Sequence, residues 1–160
     1  MAKTRKARKP AVQSWPKRGE IYLTALDPSI GREIRKTRPA LVIQNDTSNR
    51  YGAVTMVAPI TSTVRLPLSP LHVLLAADPA TGLTVASVAV FNQIRAVDRR
   101  RLLKKLGQVD ALILLQVDEA IKAAFGLPGS ASNLDLDPAP IITRAISKST
   151  GDIKTGRYEE

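Results

Sequence analysis

The 160-residue chain contains no cysteine and a single histidine, His72. The first absence excludes disulfides, thiolate metal sites and a thiol nucleophile. The second excludes a histidine-rich metal site and a two-histidine acid–base pair. No apolar run approaches the ~20 residues needed to span a bilayer. Basic residues crowd the N-terminus, but no apolar stretch follows them, so the segment lacks the pattern of a secretory signal. These absences predict a cytoplasmic protein without membrane contact, metal or cofactor. Aromatic residues are also scarce, at 4%. Stacking on nucleic-acid bases therefore rests on Trp15, Tyr22, Tyr51 or Phe91, and Phe91 sits in an apolar run suited to a core.

What remains is a globular composition, 44% apolar, with a net charge of +10 that is unevenly placed. Residues 1–18 carry seven Lys or Arg and no acid. Residues 19–127 are mildly basic, and residues 128–160 are slightly acidic overall. A basic balance suits a polyanionic partner. The length fits one domain with two appendages: a basic arm over 1–16, a folded unit over 17–127 and an extension over 128–160. The arm reads as solvated, with non-specific attraction to a polyanion as its functional alternative.

Periodicity outlines the folded unit. "GEIYLTALDP" alternates and stops at Asp27-Pro28. "SIGREIRKT" has charge but no period and reads as an exposed loop. "RPALVIQN" is a short buried strand with Pro39 at its start, where a missing N–H costs least. "AVTMVAPITS" is a further strand closing at Pro59. "HVLLAAD" and "ASVAVFNQIRAVD" supply strands around a turn at Gly82. The "RRR" after Asp98 marks a turn or short helical piece, and "LLKKLGQV" is the last strand. The period then changes: "DALILLQVDEAIKAAFG" is a helix, capped by Asp110 and Gly126, with Leu112, Leu115, Ile121 and Phe125 as its apolar row. The expected fold is mainly β, a small strongly bent barrel with a C-terminal helix.

Polar residues interrupt several apolar strand ends: Arg38, Asn45, Thr61, Ser62, Asn92, Gln93 and Arg95. A barrel presents functional groups on rigid support at such junctions, and ordinary rim polars occupy the same positions. Arg32, Arg35 and Lys36 crowd the loop beside Arg38, as a phosphate clamp or as a solvated loop. His72 alternates with apolar neighbours and reads as structural. "RRRLLKK" at 99–105 reads as a solvated edge that discourages strand pairing.

Three blocks, "RGEIYLTALDPSIGREIRKTRPALVIQND", "VAPITS" and "FNQIRAVD", occur in this order and resemble the MazF/PemK family of toxin endoribonucleases. The resemblance covers about residues 17–127. It implies an SH3-like barrel that forms a homodimer, cleaves single-stranded RNA sequence-selectively without metal, and is restrained by a cognate antitoxin. It implies catalytic roles for Arg38 and Thr61, an RNA-groove role for Gln93, and an RNA-binding role for Glu33 in the "G-x-E" loop. Arg32, Arg35, Lys36, Ser62 and Asn92 complete the expected RNA surface. Some relatives use an arginine two residues before an aspartate just ahead of that glutamine; here Val90 and Asn92 stand there, so only the Arg38–Thr61 pair is available. Relatives of the same barrel that poison gyrase, and RNA-binding modules without activity, are the alternative readings. Antitoxins of this family bind through acidic-hydrophobic tails, and "LDLDPAPII" at 134–142 has that character. It is a candidate for the chain's own RNA groove, against the default of a solvated extension.

The chemistry of those residue types agrees with the implied reaction. Metal-free RNA cleavage uses the substrate's 2′-OH as nucleophile, so the protein has only to align the oxygens, move protons and stabilise a phosphorane. A guanidinium's planar fork suits two phosphoryl oxygens, and a hydroxyl adds a donor where charge develops.

Overall fold

A computed structural model describes residues 15–129. The basic arm and the extension, with the segment at 134–142, otherwise lie outside the described residues. Seven strands and two helices make up the described unit. They are β1 (Glu20–Ala25), β2 (Thr37–Val42), α1 (Asp46–Tyr51), β3 (Val54–Thr61), β4 (His72–Leu75), β5 (Ser87–Val90), β6 (Arg95–Asp98), β7 (Leu102–Gln108) and α2 (Ala111–Phe125). Short 3₁₀ turns at Phe91–Gln93 and Arg99–Arg101 precede β6 and β7. The pairings given are antiparallel, in the path β4-β5-β3-β2-β1-β7 with β6 joining β3 off it. The arrangement is the expected bent β fold with a terminal helix, but its hydrogen-bonded path stays open rather than closing.

The bend is made at β3. Residues 54–57 pair with β6, whereas Ile60 and Thr61 pair with β5. Pro59 falls in the changeover between the two partners, where its missing N–H removes no rung on that side. The strand therefore runs through Pro59 to Thr61 instead of closing at it. Pro39 likewise stands third in β2, not first, and the ladder from β2 to β3 begins only at Ala40.

Each face of the sheet carries its own apolar layer. Ile21, Leu41, Ala58, Ile60, Val73, Leu75 and Phe91 pack against Val117 and Ala120 of α2 in the main core. Asp110 caps α2 by accepting from the Ile113 N–H at 2.9 Å, and Gly126 ends it in the left-handed conformation at φ 65°. The helix buries a different row from the one expected. Ile113, Leu114, Val117, Ala120, Ile121 and Ala124 face the sheet, while Leu112 and Leu115 are 72% and 63% exposed, and Phe125 is exposed too. The helix is apolar on more than one side, so spacing alone could not choose the face. Opposite the helix, Ala40, Val42, Val57 and Val97 form a smaller layer with Tyr22 and Leu102.

A short helix, α1, has no counterpart in the apolar pattern. Asn45 caps it by accepting from the Ser48 N–H at 2.8 Å, so this strand-end polar is a cap. Asn49 is fully buried and bonds to Gln44 and Thr55, which ties α1 to β3.

Candidate active site

Arg38 and Thr61 come from neighbouring strands. The β2–β3 register pairs Ala40 with Pro59 and Val42 with Val57. Ala40–Pro59 is the last rung: Arg38 lies two residues beyond it on β2, and Thr61 lies two residues beyond it on β3, where it pairs with Val88 of β5. The bonded ladder has ended there, so the two strand ends open into a cleft. On the other flank Arg38 pairs with the fully buried Thr24 of β1, which floors the cleft.

Arg38 is half-buried, and its Nε donates to the Arg35 carbonyl at 3.0 Å. Its two Nη nitrogens have no hydrogen-bond partner among the described residues. Thr61 is half-buried as well; its hydroxyl oxygen accepts from the Thr63 N–H at 3.3 Å, which leaves the hydroxyl proton to donate. A fork and a hydroxyl thus stand ready at one strand end.

Residues 26–36 form the loop above this cleft. Its ends are closed by the Leu26 N–H donating to the Lys36 carbonyl at 3.0 Å. Lys36 adopts the left-handed region at φ 70°, unusual for a residue with a side chain and costing about 1–3 kcal/mol. Arg101 donates to the carbonyls of Ala25 and Asp27, and Arg95 donates to the Ser29 hydroxyl. Ile34 packs on a small apolar cluster of Val64, Leu74, Ala86, Val88 and Val90. Val64 follows Thr61 in the chain, so this cluster supports both rims of the cleft.

The remaining candidates divide by what they touch. Arg32, Arg35, Lys36, Ser62 and Asn92 are exposed around the cleft. Arg35 donates to the Gly31 carbonyl at 3.1 Å. Glu33 is exposed, but its carboxylate accepts from the Ile30 N–H at 3.0 Å and braces the tip of the loop. Gln93 uses its side-chain carbonyl on the Ile34 N–H at 2.7 Å. Among the described residues none of Arg32, Arg35, Lys36, Arg38, Arg95 and Arg101 forms an ion pair with a carboxylate. With Asp27 and Glu33 as its acids the rim still carries an excess of cations, the electrostatic complement of a polyanion.

Sequence reasoning missed the role of Arg101, which was grouped with a solvated edge. Arg99 also donates inward, to the Gly52 carbonyl at 2.7 Å, and Lys105 pairs with Glu20. Three of the five basic residues at 99–105 thus hold structure together, while Arg100 and Lys104 match the exposed picture. His72 opens β4 opposite Val90, and burial pushes its pKa down, as suits a structural residue.

A second polar group occupies the same sheet face, further from the strand ends. Glu20 is buried and receives hydrogen bonds from Lys105 at 2.6 Å, Tyr22 at 3.0 Å and the Lys17 N–H at 2.9 Å. Burial pushes its pKa up, but these bonds and the charge of Lys105 outweigh that and hold it below the ordinary value. Burial, then the bond to Glu20, pushes the Tyr22 phenol up to about 12. Tyr22 is therefore a fixed donor rather than a base.

The family model described as PemK-like, MazF-like toxin of type II toxin-antitoxin system matches residues 17–125. Endoribonuclease MazF9 of Mycobacterium tuberculosis is 43% identical over 116 residues, which covers 69% of this chain and 97% of that protein. Endoribonuclease EndoA of Bacillus subtilis is 38% identical over 111 residues, covering 69% of this chain and 95% of EndoA. An endoribonuclease solved in complex with its cognate antitoxin from a mycobacterial species is 25% identical. It superimposes with a TM-score of 0.58 and covers 71% of this chain and 97% of that one.

Proposed function

The chain belongs to the PemK-like, MazF-like toxin family of type II toxin–antitoxin systems, and we propose that it is a metal-independent endoribonuclease restrained by a cognate antitoxin. The observation that supports this reading is that Arg38 and Thr61 stand at the neighbouring ends of β2 and β3, each two residues past the last rung Ala40–Pro59, beside a loop whose Arg32, Arg35 and Lys36 form no ion pair among the described residues.

The reaction is an internal transfer. The 2′-oxygen of a single-stranded RNA bonds to the adjacent phosphorus as the bond to the 5′-oxygen breaks. The products carry a 2′,3′-cyclic phosphate and a 5′-OH, and the net proton movement is from the 2′-oxygen to the 5′-oxygen. The Arg38 fork grips two phosphoryl oxygens and donates toward the leaving 5′-oxygen; its pKa above ~12 suits a donor and not a base. The Thr61 hydroxyl supplies a further donor to the charge that builds on the phosphorane. Arg32, Arg35 and Lys36 hold flanking phosphates. Ser62, Asn92, Glu33 and the Gln93 side-chain nitrogen face the bases and contribute to sequence choice.

A homodimer fits the exposed apolar row of Leu112, Leu115 and Phe125 on α2, beside a groove of about 830 Å³ shared with the end of β4. Solution mass by light scattering tests it. Among the described residues no helix is long and apolar enough to cross a membrane, and a cytoplasmic location follows from the proposed RNA substrate. Incubation of the purified protein with RNA in chelator, followed by sequencing of the new 5′-OH ends, tests the activity. Intact RNA under those conditions defeats the reading.

A further inference from the structure

Residues 34–35 of the loop are gripped at two backbone groups by two different side chains. The Ile34 N–H donates to the Gln93 carbonyl oxygen at 2.7 Å, across 59 residues of sequence. The Arg35 carbonyl accepts from Arg38 Nε at 3.0 Å. The first bond comes from the rigid 3₁₀ turn Phe91–Gln93, whose Phe91 is buried in the main core. The second ends on the Arg38 guanidinium at the end of β2. Between them lie two residues, one of which, Ile34, is also fixed by its side chain in the apolar cluster under the cleft.

We propose that Gln93 is a positioning residue for Arg38: it anchors the loop backbone at Ile34, and that backbone holds the guanidinium through the Arg35 carbonyl. This rests on the reading of Arg38 as the group that grips the scissile phosphate. The argument is mechanical. A guanidinium on three methylenes has many rotamers, and only the bond from Nε orients both Nη nitrogens together. That bond is as fixed as the Arg35 carbonyl. The loop is mostly exposed and leaves its strand through a left-handed Lys36. Its attachments from the side chains of Arg95 and Arg101 are at residues 25–29, and its base is closed by the backbone bond from Leu26 to Lys36. Within the half of the loop nearest Arg38, the Ser29 hydroxyl also reaches the Ile34 carbonyl, at a long 3.5 Å, whereas the Gln93 bond is short, at 2.7 Å, and comes from outside the loop. A misplacement of a reacting group by about 1 Å costs on the order of 10²-fold in rate.

The test combines exchange and kinetics on the full chain. In Gln93→Met, which removes the acceptor at similar size, the Ile34 amide of the RNA-free protein exchanges faster by NMR. Single-turnover cleavage at saturating RNA falls by about 10²-fold. Gln93→Glu, which retains an acceptor, restores Ile34 protection. In an Arg38→Ala background the Gln93→Met change lowers the residual rate no further, because the two act in series. Should Gln93→Met not fold, Gln93→Asn withdraws the acceptor by one methylene and carries the same expectations. Weakened RNA binding at an unchanged rate, multiplying losses in the double variant, or an unaltered Ile34 amide each overturns the proposal. Wild-type cleavage by Arg38→Ala overturns the site reading itself, so the two failures are told apart.

Discussion

Arg38 spends its Nε on the carbonyl of Arg35, three residues back, at 3.0 Å. The nitrogen used is the one on the inner edge of the guanidinium, so the bond orients the fork without consuming it. Arg38→Ala is expected to abolish cleavage by at least about 10²-fold while leaving the circular dichroism spectrum unchanged. Arg38→Lys keeps the charge but not the planar fork, and should recover only a minor part of the rate. Cleavage by Arg38→Lys at the wild-type rate would show that charge alone suffices.

Thr61 should act through its hydroxyl and not its bulk. Thr61→Val, nearly isosteric, is expected to lower single-turnover cleavage by up to about 10²–10³-fold. Thr61→Ser should retain most of it. Equal rates for the valine and serine variants would remove Thr61 from the chemistry.

The cationic loop predicts a steep salt response. Binding of a non-cleavable 2′-O-methyl RNA should weaken linearly in log–log form, with a slope of about −0.7 for each phosphate neutralised. Replacing both Arg32 and Arg35 with alanine should flatten that slope by about 1.4. An unchanged slope would mean that these side chains only face solvent.

Tyr22 gives a pH prediction with a definite sign. Its phenol is raised from 10.0 to about 12 by burial first and the Glu20 carboxylate second. Between those values the folded chain keeps a proton that the unfolded chain releases. This contribution to stability is fully present below pH 10 and is lost as the pH rises toward 12. Ultraviolet difference titration of wild type against Tyr22→Phe should isolate a transition near 12, and Glu20→Gln should move it down. A Tyr22 transition near 10 would contradict the Glu20–Tyr22 contact.

Gly107 of β7 is required by close packing. A Cβ there would lie 2.1 Å from the Ala80 carbonyl oxygen and 2.4 Å from the Thr81 carbonyl carbon, both backbone atoms. Gly107→Ala is expected to destabilise the fold by about 1–3 kcal/mol or more in urea unfolding. Stability equal to wild type would show that the loop at 80–82 can withdraw freely.

Much of this was legible along the chain. The alternation of β1, the apolar run of β2, the caps Asp110 and Gly126, and the arginine ahead of Pro39 are local signals, because strand pleat, helix pitch and capping each act over a few residues. The helix α1 escaped because its stability comes from Asn45 and from one buried amide, Asn49, and not from an apolar period. The face chosen by α2 escaped because leucines and isoleucines lie on several sides of it.

By itself the sequence determined the strands and the terminal helix, though not α1 or every strand end, and that an arginine and a threonine lie at two strand ends. Tertiary structure decided that the β2–β3 ladder brings together the two strand ends that carry them, and that Gln93, Arg95 and Arg101 hold the loop at 26–36. The physical reason is range. Propensity and capping are written into neighbouring residues, whereas register and a hydrogen bond spanning 59 positions exist only once the sheet has brought distant segments together.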